Sequence, residues 1–213
     1  MKIAKQSRLV MIGDSITDCG RAQPVGEGGG LGAGYVALVD ALLSAACPDH
    51  AIRITNVGTS GNTVRDLKAR WQRDVTDLQP DWLSVMIGGN DVWRQFDCPR
   101  FPEIHVHLDE YERTLDDLLG LTRPRLKGLV LMTPFFIELN RQDPMRERMD
   151  RYGGAVRTLA ARHDAVLVDT QAAFDEVLAH CHPMALSGDR VHPNHVGHMI
   201  LARAFLKAIG FQW

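Results

Sequence analysis

The chain has 213 residues, 45% of them hydrophobic and 23% charged, an ordinary globular composition with enough apolar side chains for a sizeable core. Its length predicts one domain over 1–213. The formal net charge of −2, with no basic run or basic–aromatic stripe, excludes a global field that would recruit nucleic acid or an anionic membrane surface.

No segment approaches the roughly 20 apolar residues of a membrane span, and residues 1–8 lack the apolar core of a signal peptide. Cys19, Cys47, Cys98 and Cys181 lie far apart with no C-x-x-C spacing. That argues against a zinc site or a disulfide framework and predicts a reducing, cytoplasmic setting.

The first predicted element is a buried strand at 9–12, which ends abruptly in Gly13-Asp14-Ser15. Further short apolar or β-branched runs follow at 52–57, 82–87, 129–132 and 166–168. Each is near-continuously apolar, as strands buried on both faces require. Helical stripes lie between and after them. Tyr35, Leu38, Val39, Leu42 and Leu43 form one, and Tyr111, Leu115, Leu118 and Leu119 another. Met145, Met149, Tyr152, Val156 and Leu159 form a third, and Val196, Met199, Ile200, Phe205 and Ile209 close the chain. These stripes read as core faces, so none is given a cofactor role. The alternation predicts an α/β fold: a three-layer α/β/α sandwich around a five-stranded parallel sheet, flavodoxin-like, with strand order 2-1-3-4-5.

Ligands of open parallel sheets bind outside the carboxyl ends of the strands. Three polar, glycine-rich turns fall there: Gly13-Asp14-Ser15, residues 56–63, and Gly88-Gly89-Asn90-Asp91. Ser15 is a cap in one reading and a nucleophile in the other, and a nucleophile needs a base. Asp189-Arg190-Val191-His192-Pro193-Asn194 offers one. Asp and His three residues apart, ahead of a helix starting near Asn194, can share a compact loop, with the carboxylate on Nδ1–H and Nε2 free for the serine proton. Gly61 N–H, the Asn90 amide and Ser15 N–H are candidate oxyanion donors. Turn chemistry alone is the competing account of each.

Gly-Asp-Ser, Ser-Gly-Asn-Thr, Gly-Gly-Asn-Asp and Asp-x-x-His occur in that order. With these blocks the chain resembles the SGNH hydrolases, the GDSL esterase family, over essentially its whole length. The family's signature residues correspond to Ser15, Gly61, Asn90 and His192, with Asp189 completing the triad. The strings at 13–21, 90–95, 132–135 and 189–193 resemble the intracellular acetylxylan esterase branch. That resemblance implies a cofactor-free serine esterase acting on a small acetylated saccharide such as a xylo-oligosaccharide, and a homo-oligomer. A lipase-like or thioesterase activity and a non-catalytic carbohydrate-binding protein are the alternatives. Asp14, Trp93 and Arg94 are candidate substrate-binding residues. Gly28-Gly29-Gly30 departs from the mixed sequence expected of that loop.

Other features are set aside. The glycine-dense stretch at 26–34 loosely matches a dinucleotide fingerprint but begins about a dozen residues after the first strand, so the phosphate geometry fails and a flexible loop bordering the site is expected. His192, His195 and His198 recur every third residue without a companion set of carboxylate or thiolate ligands, and no metal is expected. Ser60 mimics a G-x-S-x-G elbow but lacks its final glycine.

Overall fold

The computed structural model describes residues 1–212, and its elements follow the apolar runs closely. The strands are β1 (Arg8–Gly13), β2 (Gly26–Glu27), β3 (Arg53–Asn56), β4 (Trp82–Met86), β5 (Gly128–Met132) and β6 (Val166–Val168). They form one sheet in the order β2-β3-β1-β4-β5-β6. From β3 to β6 every pairing is parallel, with Val10 opposite Thr55 on one side and Leu83 on the other. These five strands have the expected 2-1-3-4-5 order.

The sixth strand corrects the count. β2 is two residues long and antiparallel, Gly26 facing Asn56 and Glu27 facing Thr55. It lies inside the glycine-dense stretch, where neither alternation nor β-branched residues mark a strand. Exposed Arg53 and buried Thr55 reach back to the Glu27 carboxylate across this edge. The stretch is therefore a bonded sheet edge, further tied by Ala22 N–H to the Gly30 carbonyl and Ala33 N–H to the Cys19 carbonyl.

Helices cover both faces. They are α1 (Ser15–Asp18), α2 (Tyr35–Ala46), α3 (Val64–Trp71), α4 (Gly89–Asp97), α5 (Leu108–Thr122), α6 (Pro144–Arg162), α7 (Thr170–Leu178) and α8 (His195–Ala208). Period-two alternation within each strand splits the core into two layers. Val10, Ile12, Leu83, Val85, Leu129 and Leu131 face α3, α5 and α6, where Leu67, Tyr111, Leu115 and Met149 are buried. Leu9, Met11, Val130 and Met132 face the other way, against Tyr35, Val39, Phe174 and Phe205 of α2, α7 and α8. Burying each such side chain contributes roughly 1.5–3 kcal/mol before chain entropy is charged. With both faces covered, the carboxyl end of the sheet is left to carry polar turns.

Candidate active site

β1 ends in a glycine because nothing larger fits: a Cβ on Gly13 would collide with the Met86 carbonyl of β4 and the Thr17 hydroxyl. The chain then turns, and Asp14 caps the single turn of α1 by accepting the Ile16 N–H at 3.0 Å. Ser15 is the first residue of that turn, which leaves its hydroxyl at the sheet edge.

The base arrives from 177 residues away. Ser15 Oγ lies 3.0 Å from His192 Nε2. His192 Nδ1 lies 2.7 Å from Asp189 Oδ2. The other oxygen, Asp189 Oδ1, accepts the backbone N–H groups of Val191 (2.9 Å) and His192 (2.8 Å) and the Ser187 hydroxyl (2.9 Å). Burial alone would raise this carboxyl; the His192 ring, those two N–H groups and Ser187 outweigh it and hold Asp189 well below the usual carboxylate range. It therefore remains an anion facing Nδ1, which assigns the imidazole proton to Nδ1 and an acceptor to Nε2.

The loop is anchored independently of the triad. Arg190 sits at φ 63°, in the left-handed region, and its guanidinium pairs with Glu138 at 2.8 Å and covers the Phe136 ring at 5.0 Å. Asn194 ends the loop by capping α8, accepting the Val196 and Gly197 N–H groups.

The oxyanion candidates come from the two neighbouring turns. Gly61 has φ +81°, a conformation that excludes most side chains, and open space where a Cβ would stand. It is pinned on both sides. Ser60 donates its N–H and hydroxyl to Asp18 Oδ2, and the Asn62 carbonyl accepts Asn90 Nδ2 at 3.0 Å. One Asn90 N–H is thus used internally and one remains. Asp91, fully buried next to it, accepts the Val64 N–H at 3.0 Å, so α4 holds the start of α3 by two consecutive side chains.

Ser15, Asn90, Asp14 and Val191 border a narrow pocket of about 20 Å³, otherwise walled by Ile16, Met86, Ile87, Gly89, Pro134 and Phe135. A water needs roughly 10–15 Å³ on that measure, so the pocket takes a group of about methyl size. Trp93, on α4 with Asn90, stands edge-on to His192, ring centroids 5.5 Å apart. The Arg94 guanidinium stacks on Trp93 at 4.8 Å, pairs with Asp97 and reaches Asn90 Oδ1 at 3.4 Å. Its two terminal nitrogens thus each have a partner within the protein.

Asp14 lies beneath Ser15 with 4% of its surface exposed, and burial pushes its carboxyl up to about 6. The sign follows from that direction. A carboxyl raised by folding favours the native state while protonated, and that contribution is lost as pH rises from the ordinary carboxyl range through about 6. Asp14→Asn keeps an oxygen for the Ile16 N–H and has no charge to bury. We expect it to gain stability over the parent between pH 4 and pH 7, by at most about 3 kcal/mol. Melting temperatures across that range should show the gap widening with pH; a constant gap refutes it.

His198 and Ser60 have other employment. His198 Nδ1 accepts the Tyr35 N–H at 3.2 Å, leaving Nε2–H toward Cys19 Sγ at 3.5 Å, and burial lowers its pKa to about 4. Among the described residues no group of three or more His, Cys, Asp or Glu side chains is arranged to hold a metal ion. Ser60 bonds Asp18 rather than a histidine. Sequence reasoning missed the residues that hold these turns in register, Asp18, Arg70 and Ser187 among them, because no local pattern marks them.

The profile of the GDSL-like lipase/acylhydrolase family matches residues 11–200. An acetylxylan esterase of Geobacillus stearothermophilus is 60% identical over 215 aligned positions, spanning 100% of this chain and 98% of that protein. The crystal structure of Axe2, an acetylxylan esterase from Geobacillus stearothermophilus, is similar at a TM-score of 0.99 and 60% identity, covering 100% of this chain and 98% of that one. A catalytic mutant of Axe2 with serine 15 replaced by alanine has the same similarity. LAE5, an alpha/beta hydrolase enzyme from the metagenome of Lake Arreo, Spain, is 54% identical with a TM-score of 0.97, over 99% of this chain and 98% of that one.

Proposed function

Because the chain belongs to the GDSL-like lipase/acylhydrolase family and is a carboxylic ester hydrolase, we propose that it removes acetyl groups from xylan-derived xylo-oligosaccharides, with Ser15 as nucleophile. The observation that carries this reading is the continuous relay from Ser15 Oγ through His192 to Asp189, at 3.0 and 2.7 Å, beside a methyl-sized pocket. Ser15 Oγ attacks the ester carbonyl as its proton passes to His192 Nε2. Ser15 N–H, Gly61 N–H and the free Asn90 N–H hold the oxyanion. Collapse breaks the bond to the sugar oxygen, which takes the proton from Nε2 and leaves acetyl-Ser15. Water then gives a proton to Nε2 and attacks the acyl carbon; collapse of that adduct breaks the acyl–Oγ bond, returns the Nε2 proton to Ser15 Oγ and releases acetic acid.

Trp93 lines the sugar side in this proposal, since its half-buried face lies next to the residue that protonates the leaving oxygen. Arg94 braces Trp93 and Asn90, and Asp14 forms part of the acyl pocket floor. A cytoplasmic homo-oligomer completes the reading; Cys19, Cys47, Cys98 and Cys181 are all unpaired thiols, which suits a reducing compartment. No helix among the described residues is long and apolar enough to cross a membrane.

The pocket separates this reading from a lipase-like or thioesterase activity. Acetate release from acetylated xylo-oligosaccharides, run beside other acetylated sugars and octanoyl esters, should favour acetyl over octanoyl by at least about 100-fold in kcat/KM, because a pocket of this size leaves the longer chain unburied. A preference for octanoyl overturns the acetyl assignment, and a preference for other acetylated sugars overturns the xylan assignment.

A further inference from the structure

α3 has a feature that its amphipathic role does not need. Arg70, in its last turn, is 9% exposed, and its guanidinium is shared among four acceptors. Nη2 donates to the Gly13 carbonyl at 2.9 Å, and Nη1 to the Val57 carbonyl at 2.6 Å. Nε donates to Asn62 Oδ1 at 2.7 Å. Nη1 also meets Asp74 Oδ2 at 2.7 Å, across a π-helical turn at Gln72–Thr76 that continues α3. Asp74 is in turn paired with Arg73.

A structural ion pair would be complete with Asp74 alone, and a buried pair of that kind adds little net stability. The other three acceptors are the turns of the site. Gly13 ends β1 just before Asp14 and Ser15, Val57 follows β3, and Asn62 is next to Gly61 and carries the carbonyl that receives Asn90. Each of the three is met by a different nitrogen of one planar fork, Nε, Nη1 and Nη2, whereas a lysine carries all its donors on a single nitrogen.

We propose that Arg70 is a positioning residue for acyl transfer, locking the Ser15 turn and the Gly61–Asn62 turn in the register at which their N–H groups and Asn90 converge on one oxyanion. This rests on the reading of Ser15, Gly61 and Asn90 given above. Arg70 touches no substrate. Its effect belongs to the geometry of the hole, so its loss weakens binding of the tetrahedral species and leaves ground-state binding unchanged.

The test compares Arg70→Met, Arg70→Lys and Asn62→Ala, counting active sites with a fluorophosphonate. For each, kcat and KM on 4-nitrophenyl acetate are measured beside the inhibition constant of a small alkylboronic acid, which forms a tetrahedral adduct on serine. Arg70→Met should lose about 100-fold in kcat per titrated site with KM within about twofold, and boronate affinity should fall in the same proportion. Arg70→Lys should fall between Arg70→Met and the parent. Asn62→Ala, which removes one tie from a half-buried position and leaves the core intact, should lose about tenfold. Normal kcat per titrated site with normal boronate affinity in Arg70→Met overturns the proposal, even if the melting temperature drops. Should neither Arg70 variant fold, unchanged kcat in Asn62→Ala overturns it, and the expected loss supports it. Ser15→Ala is the control: residual full activity there refutes the Ser15 reading itself, whereas inactive Ser15→Ala beside fully active Arg70→Met refutes the Arg70 proposal alone.

Discussion

Ser15→Ala is expected to lower kcat by roughly 10⁴- to 10⁶-fold while leaving the fold and melting temperature nearly unchanged. Among the described residues the hydroxyl bonds to His192 Nε2 alone. The backbone N–H proposed for the oxyanion hole survives the substitution, and the turn is held by the Asp14 cap and by Cys19 N–H to the Ser15 carbonyl at 3.0 Å. Ser15 is half-buried and loses a single hydrogen bond, so stability should move by no more than about 1 kcal/mol. What is lost is the covalent route: with no Oγ, neither an acyl-enzyme nor a serine proton for His192 exists. Acetate release from acetylated xylo-oligosaccharides, with intact-mass detection of the acetyl adduct in the parent, checks both parts. Turnover within tenfold of the parent in folded protein would remove Ser15 from the mechanism.

The parts of this site that could be read from the chain are those in which chemistry is local. Gly13-Asp14-Ser15, Gly88-Gly89-Asn90-Asp91 and the Asp189–His192 spacing each mark a turn by its own residues, and the apolar runs put those turns at one sheet edge. The Asn194 cap was legible for the same reason. Elements without local marks were not. α3 buries Val64, Leu67, Arg70 and Trp71, but its charged residues dilute the stripe, and α4 starts inside a Gly-Gly-Asn-Asp string that reads as a turn. β2 is too short for any period. The clamps are further still from sequence. Arg70 is 57 residues from Gly13, and an arginine late in a helix looks like a solvated one until the tertiary fold buries it. Burial likewise decides the acidity of Asp14 and Asp91, pushed up to about 6 and about 7, and no neighbour in sequence announces it.

Asp189→Asn should lower kcat by about 10⁴-fold with the loop still in place. Asp189 has two distinct oxygens in this structure. Oδ1 takes three donors, the N–H groups of Val191 and His192 and the Ser187 hydroxyl, and Oδ2 takes only His192 Nδ1. An asparagine has one oxygen, and three donors draw it to the Oδ1 position. Its NH₂ then faces Nδ1, which must become an acceptor, and the imidazole proton moves to Nε2, facing Ser15 Oγ. The ring is correctly placed in the wrong tautomer and has no lone pair for the serine proton. A carbonyl at Oδ1 keeps the turn, so melting temperature at neutral pH should change little while activity collapses. The acid limb separates charge from geometry. Because folding holds Asp189 below the usual carboxylate range, its contribution is present above the ordinary carboxyl pKa and is lost as pH falls below about 4. The parent should therefore lose stability more steeply than Asp189→Asn below pH 4. Equal acid sensitivity would show that the carboxylate charge adds nothing to folding, and an Asp189→Asn enzyme with near-normal kcat would show that the imidazole tautomer is set elsewhere.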